Sequence, residues 1–105
     1  MIYSYNFNQL YNNYKRVANK KGLEFTLTKD EFYKITKSNC FYCDSMPKQE
    51  YYKDQRHKND PYIYNGIDRL VNNWGYDGID HCVPCCWVCN RAKRDMNFID
   101  FNKWI

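Results

Sequence analysis

The chain has 105 residues, the length of one small domain, and its formal net charge of +4 is too modest to define a partner. The amino-terminal stretch lacks the apolar core of a signal peptide, and no apolar run approaches the length that spans a membrane. We therefore expect an intracellular, cytoplasmic protein without a membrane partner. In that setting, six cysteines indicate metal binding rather than disulfides.

The first forty residues predict two helices joined by a short extended stretch. Apolar side chains recur at helical spacing from Phe7 to Ala18, and the Lys-Lys-Gly run at residues 20–22 is typical of a helix end. Residues 23–27 alternate between apolar and polar side chains, as a short strand does. Residues 28–31 then have the pattern of a capping box, which predicts the start of a second helix.

The rest of the chain predicts short elements separated by loops. Residues 48–60 have no apolar period and are expected to form an exposed loop, whereas residues 62–69 predict one strand with Asn65-Gly66 inside it. After a loop over residues 70–78, a second strand is expected near Cys82 and a helix near residues 86–94. A last short helix is expected over residues 97–105.

Four of the cysteines form two Cys-x2-Cys units, which are Cys40 with Cys43 and Cys86 with Cys89. In each unit two sulfurs can reach one ion from a tight turn, and two units complete a closed tetrahedral Zn²⁺ site. Cys82 and Cys85 have the same spacing, so the register of the second unit is ambiguous. We choose the later pair because a helix is predicted to begin there, and we expect Cys82 and Cys85 to be buried thiols.

Between the cysteine units lies a group of polar side chains suited to phosphodiester hydrolysis. Asp68 and Asn90 offer oxygen ligands of the kind that Mg²⁺ or Mn²⁺ takes, and Arg69 suits a phosphate. His81 or Tyr76 would accept the proton of the attacking water. The alternative is structural: a surface ion pair for Asp68 and Arg69, a hydrogen-bonded loop histidine, and a helix cap at Asn90.

The strings CFYC, NGIDR, the following Gly-Tyr loop and VPCCWVCNRAK resemble the zinc-containing HNH endonucleases of phages and mobile elements. The first helix and the string GLEFTLTKDEF resemble the amino-terminal part of that group, so the resemblance covers nearly the whole chain. It implies an α+β fold with a ββα-metal core, in which a two-stranded hairpin and a helix grip one divalent ion. It also implies cleavage of DNA, and it supports Cys86 and Cys89 as the second zinc pair.

The resemblance implies a single endonuclease domain over residues 1–105. Residues 1–39 would form an amino-terminal extension that contacts DNA, residues 40–96 the zinc-bound core, and residues 97–105 a carboxy-terminal helix. The implied cofactors are structural Zn²⁺ and catalytic Mg²⁺ or Mn²⁺. The implied partner is double-stranded DNA, in the host cell if the protein is viral. The chain would either nick DNA as a monomer or cut both strands as a homodimer.

Carried over by position, the resemblance makes Asp68 and Asn90 the ligands of the catalytic ion. Arg69 stands where a general-base histidine is common, and His81 stands where an asparagine commonly orients that base. The chain therefore lacks the standard base, and either His81 or Tyr76 would replace it. A histidine pKa of about 6.5 suits a base at pH 7, whereas some relatives with an Asp-Arg motif use a tyrosine near the phosphate.

Basic side chains in three regions predict contacts with DNA phosphates. The regions are the first helix, the loop over residues 48–60 and the helix after the last cysteine. The side chains are Lys15, Arg16, Lys20, Lys21, Arg56, Arg91, Lys93 and Arg94. Such contacts position a duplex without specifying its sequence. A solvated polar face is the alternative for the basic side chains of the first helix.

Two other functions are compatible with the sequence. The missing histidine favours a non-catalytic, zinc-dependent DNA-binding module that kept the HNH scaffold and lost its base. A disulfide-stabilised secreted protein would instead bind no zinc and would have no free thiols. Nicking assays distinguish the first alternative from an endonuclease, and metal and thiol analysis tests the second.

Overall fold

The computed structural model describes residues 3–70, 75–78 and 80–93. The predicted helix over residues 97–105 and the predicted DNA contact Arg94 lie outside the described residues. The described residues form an α+β domain with two small antiparallel sheets, which confirms the predicted class. Its elements in chain order are α1 (Tyr5–Lys20), α2 (Lys29–Thr36), β1 (Gln49–Tyr51), β2 (Tyr62–Tyr64), β3 (Gly66–Arg69), β4 (Cys82–Cys85) and α3 (Trp87–Lys93).

The end of α1 and the start of α2 fall where local sequence signals predict. The Ser4 hydroxyl accepts a hydrogen bond from the Phe7 N–H at 3.1 Å at the start of α1. Gly22 has a φ of +70° just after α1, the left-handed conformation that commonly ends a helix. At the start of α2, Thr28 and Glu31 exchange the two hydrogen bonds of a capping box. None of the described helices is both long enough and apolar enough to cross a membrane.

An aromatic core lies between the two amino-terminal helices and the strands β2 and β3. Phe7 and Phe32 are completely buried and meet edge to face, with their ring centroids 5.8 Å apart. Such aromatic pairs stabilise a core beyond the area that they bury. The other buried members of this cluster are Leu10, Tyr11, Leu27, Ile35, Tyr62, Ile67 and Cys82.

The prediction that residues 48–60 form only an exposed loop is wrong. β1 lies within this stretch and pairs antiparallel with β2, and a 3₁₀ turn covers Gln55–His57. The buried Asn6 side chain of α1 holds the segment in place. Its amide donates to the carbonyls of His57 and Asp60 at 2.9 and 2.8 Å, and its oxygen accepts from the Lys53 N–H at 3.1 Å. This anchor is 47 or more residues away in sequence, so local periodicity could not predict it.

The single strand predicted over residues 62–69 is two strands that belong to different sheets. Asn65 separates them and is buried between α2 and the strands. Its side-chain amide donates to the Ser38 carbonyl at 2.9 Å, and its backbone N–H donates to the Thr36 carbonyl at 2.8 Å. These bonds turn the chain out of the sheet of β1 and β2 and into the sheet of β3 and β4.

Candidate metal centre and active site

The four cysteines predicted to bind zinc come together in the structure. The sulfurs of Cys40, Cys43, Cys86 and Cys89 lie within 4.8 Å of one another. The sulfurs of Cys43 and Cys86 are 3.6 Å apart. Tetrahedral Zn²⁺ with Zn–S bonds of about 2.3 Å places its sulfurs roughly 3.8 Å apart, so this group fits the ion. All six cysteines lie in the described part of the chain, and all are free of disulfides.

The turn between Cys40 and Cys43 is fixed by backbone hydrogen bonds. The N–H of Asp44 donates to the carbonyl of Cys40 at 2.9 Å. Asp44 has a φ of 62°, a left-handed conformation that aspartate tolerates better than most residues. The N–H of Phe41 donates to the carbonyl of Pro84 at 2.8 Å and so ties the turn to β4. The first cysteine pair is thereby held beside the strand that leads into the second pair.

The second pair is Cys86 with Cys89, and the alternative pair in β4 is outside the metal-binding group. Cys82 and Cys85 are buried, and this burial raises the pKa of both thiols, that of Cys82 to about 11. They therefore remain protonated at pH 7, as expected for buried structural thiols. Within the sulfur group, a hydrogen bond with the Ser45 hydroxyl lowers the pKa of Cys43 to about 6, whereas burial raises the pKa of Cys86 and of Cys89. A bound Zn²⁺ would stabilise all four as thiolates.

β3, β4 and α3 form the predicted two-stranded hairpin and helix. The strands are antiparallel, with Gly66 opposite Cys85 and Arg69 opposite Cys82. α3 begins directly after Cys86 and packs on β3. Because two of the sulfurs sit at the start of α3 and two on the turn tied to β4, a bound Zn²⁺ would fix this helix against the hairpin.

The Asp68 carboxylate lies inside this unit and is only 6% exposed. The ammonium group of Lys93, which is fully buried on α3, lies 3.0 and 2.8 Å from its two oxygens and also donates to the Arg69 carbonyl at 3.2 Å. The Tyr42 hydroxyl donates a further hydrogen bond to Asp68. This placement differs from the prediction that Lys93 contacts DNA, because its ammonium group is buried against Asp68.

Asn90 lies one turn before Lys93 on the exposed side of α3. Asn90 lines a surface cavity of about 360 Å³ together with Tyr14, Gln49, Gly66, Trp87 and Arg91. Asp68 is not part of this lining. A Cβ at Gly66 would lie 3.3 Å from both the Tyr14 hydroxyl and the Cys85 carbonyl oxygen, so a side chain there would crowd the wall of this cavity. One predicted ligand of a catalytic Mg²⁺ or Mn²⁺ thus faces this cavity, while the other is bonded to a buried ammonium.

Arg69 faces the opposite side of β3 from Asp68, because side chains alternate along a strand. It lies there beside Tyr76. The guanidinium carbon of Arg69 is 5.4 Å from the centre of the Tyr76 ring. Tyr76 is held there by a parallel bridge to Phe25, and its N–H donates to the Glu24 carbonyl at 2.8 Å. Gly75 permits this approach, because a Cβ there would lie 2.6 Å from the Glu24 carbonyl oxygen. The structure contains no strand over residues 23–27, where one was predicted. It contains only this isolated bridge at Phe25.

His81 lies at the same end of the hairpin as Arg69. Its carbonyl accepts from the Leu70 N–H at 2.9 Å, and its ring Nε2 is hydrogen-bonded to the Asp77 carboxylate. Burial raises the pKa of Tyr76, and the neighbouring Arg69 offsets only part of that shift. Deprotonation of Tyr76 near pH 7 is therefore unfavourable.

Among the described residues, the basic side chains predicted to contact DNA are exposed on α1 and its C-cap, the 3₁₀ turn and α3, with the exception of Lys93. The exposed ones are Lys15, Arg16, Lys20, Lys21, Arg56 and Arg91. Arg91 lines the cavity of Asn90, and Arg16 lines a second cavity on the same side of α1. Arg56 forms an ion pair with Asp54 at 3.2 Å on a different segment.

Two residues of the site were not predicted from the sequence in their observed role, Tyr42 and Lys93. Tyr42 lies between Cys40 and Cys43. The sequence around it indicates the cysteine spacing but gives no sign of the contact with Asp68. Lys93 stands in a basic run, which indicated solvent exposure. The helical spacing of Cys86, Cys89 and Lys93, however, places Lys93 on the face of α3 that carries the zinc ligands, so this spacing could have predicted its burial.

Comparisons with known proteins agree with this fold. No protein-family model matches the chain. An uncharacterized protein, R423, of Acanthamoeba polyphaga mimivirus is 47% identical over 91 residues, and the match covers 87% of this chain but only 14% of that protein. The solved structure of the rare-cutting HNH restriction endonuclease PacI matches with a TM-score of 0.66 at 21% identity, covering 93% of this chain and 72% of that chain. The chain therefore has a fold similar to that of an HNH endonuclease, with a four-cysteine group compatible with zinc.

Proposed function

We propose that this chain is a metal-dependent endonuclease that hydrolyses phosphodiester bonds in double-stranded DNA. The proposal is carried by the hairpin and helix of β3, β4 and α3, which four cysteine sulfurs hold together in a fold similar to that of an HNH restriction endonuclease. Within this unit, Asp68 and Arg69 lie on the first strand and Asn90 on the helix.

The DNA would lie along the side of the molecule where α1 and α3 carry exposed arginines beside two adjoining cavities. Arg16 lines one cavity and Arg91 lines the other, and the Tyr14 side chain belongs to both. Cations at the two ends of this surface suit the phosphates of a DNA backbone. Arg69 would hold the phosphate at the hairpin end, and His81, oriented by Asp77, would accept the proton of the attacking water.

Metal dependence is the part of the proposal that rests on the fold similarity. In HNH endonucleases a divalent ion polarises the phosphate, but here the Asp68 carboxylate is bonded to Lys93 and Tyr42. This contact supports a second candidate function, a zinc-dependent module that binds DNA without cutting it. Both candidates predict DNA binding, and only the first predicts cleavage.

A plasmid-nicking assay with the zinc-loaded protein distinguishes the two candidates. The decisive variant combines Asp68→Asn with Lys93→Met, which removes both charges and leaves neither buried alone. We expect this variant to lose nicking by more than about 100-fold in Mg²⁺ or Mn²⁺, because the loss of an outer-shell partner alone commonly costs up to that much. Asp30→Asn with Lys34→Met is the charge-matched control, since it makes the same two replacements at exposed positions of α2.

Each outcome of this assay decides between the candidates. Nicking that needs an added divalent ion and is lost only in the Asp68 variant supports the endonuclease. Retarded DNA migration with no nicking in either metal would overturn it in favour of the binding module. Nicking at the original rate in the folded Asp68 variant would exclude that carboxylate from the reaction.

The proposed DNA surface makes a further prediction about Arg91. Arg91→Ala should weaken binding to a similar extent on unrelated DNA sequences, because a phosphate contact carries no sequence information. It should also reduce the slope of log K against log salt concentration by about 0.9. Fluorescence anisotropy at several salt concentrations measures both quantities, with Lys34→Ala, an exposed cation on α2, as the control. An unchanged slope would place Arg91 away from the DNA.

A further inference from the structure

A second cavity next to the candidate site is lined mainly by tyrosines. Its volume is about 330 Å³, at the lower end of the range for ligand sites. It lies between α1 and the sheet of β1 and β2 and opens to the surface. Its lining consists of Leu10, Asn13, Tyr14, Arg16, Val17, Tyr51, Tyr64 and Tyr76. Because Tyr14 also lines the cavity of Asn90, the two cavities adjoin.

The chemistry of this tyrosine cavity suits a flat ring with polar edges. Four phenol rings line the cavity, and those of Tyr51 and Tyr64 are only partly buried. The Asn13 amide, also in the lining, is 3.4 Å from the Tyr51 hydroxyl, and the Gln49 amide of the adjoining cavity is 3.4 Å from the Tyr64 hydroxyl. Groups of this kind can donate to or accept from the edge of a heteroaromatic ring while the phenol faces pack against it.

The charge at the rim excludes one alternative ligand and favours another. Clusters of aromatic rings can bind quaternary ammonium groups, but the exposed cation of Arg16 stands on this rim and would repel such a ligand. The same cation would attract a group that combines a ring with a phosphate. A nucleotide has both features, and the adjoining cavity lies beside the proposed cleavage site.

We propose that the tyrosine cavity binds the base of an unpaired deoxynucleotide in a DNA duplex, with the phosphate of that nucleotide near Arg16. This inference rests on the proposed function, because it requires that the chain binds DNA. Stacking on aromatic side chains tolerates any base, so the cavity would recognise local unpairing rather than base identity. A bulged nucleotide would bind best, because it does not have to be unpaired first.

The binding test compares a perfect duplex with one that carries a single bulged nucleotide, without added Mg²⁺ or Mn²⁺. We expect the zinc-loaded protein to bind the bulged duplex roughly 5- to 100-fold more tightly, the range that one stacked base provides. Tyr64→Ala should abolish this preference and Tyr64→Phe should retain it, because the phenylalanine keeps the ring. Tyr52→Ala, an exposed tyrosine outside the cavity, should also retain it.

Photocross-linking of the unchanged protein tests the same proposal without depending on how the variants fold. A 5-iododeoxyuridine at the bulged position should cross-link to a peptide that contains one of the four lining tyrosines, Tyr14, Tyr51, Tyr64 or Tyr76. Cross-links confined to other peptides would overturn the proposal, as would equal affinity for the two duplexes. Equal affinity would leave the proposed DNA binding intact, whereas failure to bind either duplex would overturn the proposed function as well.

Discussion

Replacing Cys86 by serine is expected to abolish Zn²⁺ binding and to unfold the chain. Cys86 is one of four sulfurs that lie within 4.8 Å of one another, and it joins the start of α3 to the turn tied to β4. Structural zinc contributes on the order of 10–16 kcal/mol in small zinc-binding peptides. Native domains are stable by only about 5–15 kcal/mol. The loss of the ion is therefore comparable to the entire stability of the domain.

Metal analysis and circular dichroism measure this effect together. The original chain should contain one tightly bound Zn²⁺ per molecule and should lose its helical signal when a strong chelator removes the ion. Cys82→Ser is the matched control, because Cys82 is also buried but lies outside the sulfur group. This control should keep the zinc and lose only about 1–3 kcal/mol, the cost of a poorly satisfied hydroxyl in a core. A folded, zinc-free Cys86→Ser variant would contradict the structural role of the metal.

Lys93→Met is expected to destabilise the domain by about 3–5 kcal/mol. The fully buried ammonium group is 2.8 Å from the Asp68 carboxylate, which is itself 6% exposed. Removing one partner of a buried ion pair leaves the other charge without compensation in a medium of low dielectric constant, and this is the usual cost. The Tyr42 hydroxyl donates to the same carboxylate but supplies no opposite charge.

Urea unfolding of the zinc-loaded protein measures this loss. Lys34→Met is the matched control, because Lys34 is exposed on α2 and its loss should change stability by no more than about 0.5 kcal/mol. Combining Lys93→Met with Asp68→Asn should recover much of the stability, since neither charge is then buried alone. A single-variant loss below about 1 kcal/mol, or double-variant effects that simply add, would show that the two charges are not paired in a dry interior.

Signals within a few residues of one another predicted the helices and the metal ligands. The capping box at Thr28 and the glycine at residue 22 are short-range patterns, and the structure contains both as predicted. The prediction of a zinc site also depended on spacing, because a Cys-x2-Cys unit brings two sulfurs to one ion from a tight turn. The paired units were visible in the sequence, and the predicted helix start together with the family resemblance selected the second pair that joins the sulfur group.

Contacts between distant segments explain the predictions that failed. Asn6 anchors residues 53–60 through hydrogen bonds to backbone groups, and no periodicity in that stretch reveals the partner. Asn65 divides a continuous extended run by bonding to the end of α2, so one predicted strand became two. In both cases a single polar side chain satisfies buried backbone groups that are far away in sequence, which local propensity does not report.

By itself, the amino-acid sequence determined the class of fold, the boundary signals of the amino-terminal helices and the four cysteines that come together, and it named candidate residues for phosphodiester chemistry. Only the tertiary structure decided how those residues are grouped: Asp68 with Lys93 and Tyr42, Arg69 with Tyr76, and Asn90 with the cavity at Gly66. The physical reason is that residue type and spacing set what a side chain can bind, whereas burial and long-range packing set which partner it meets.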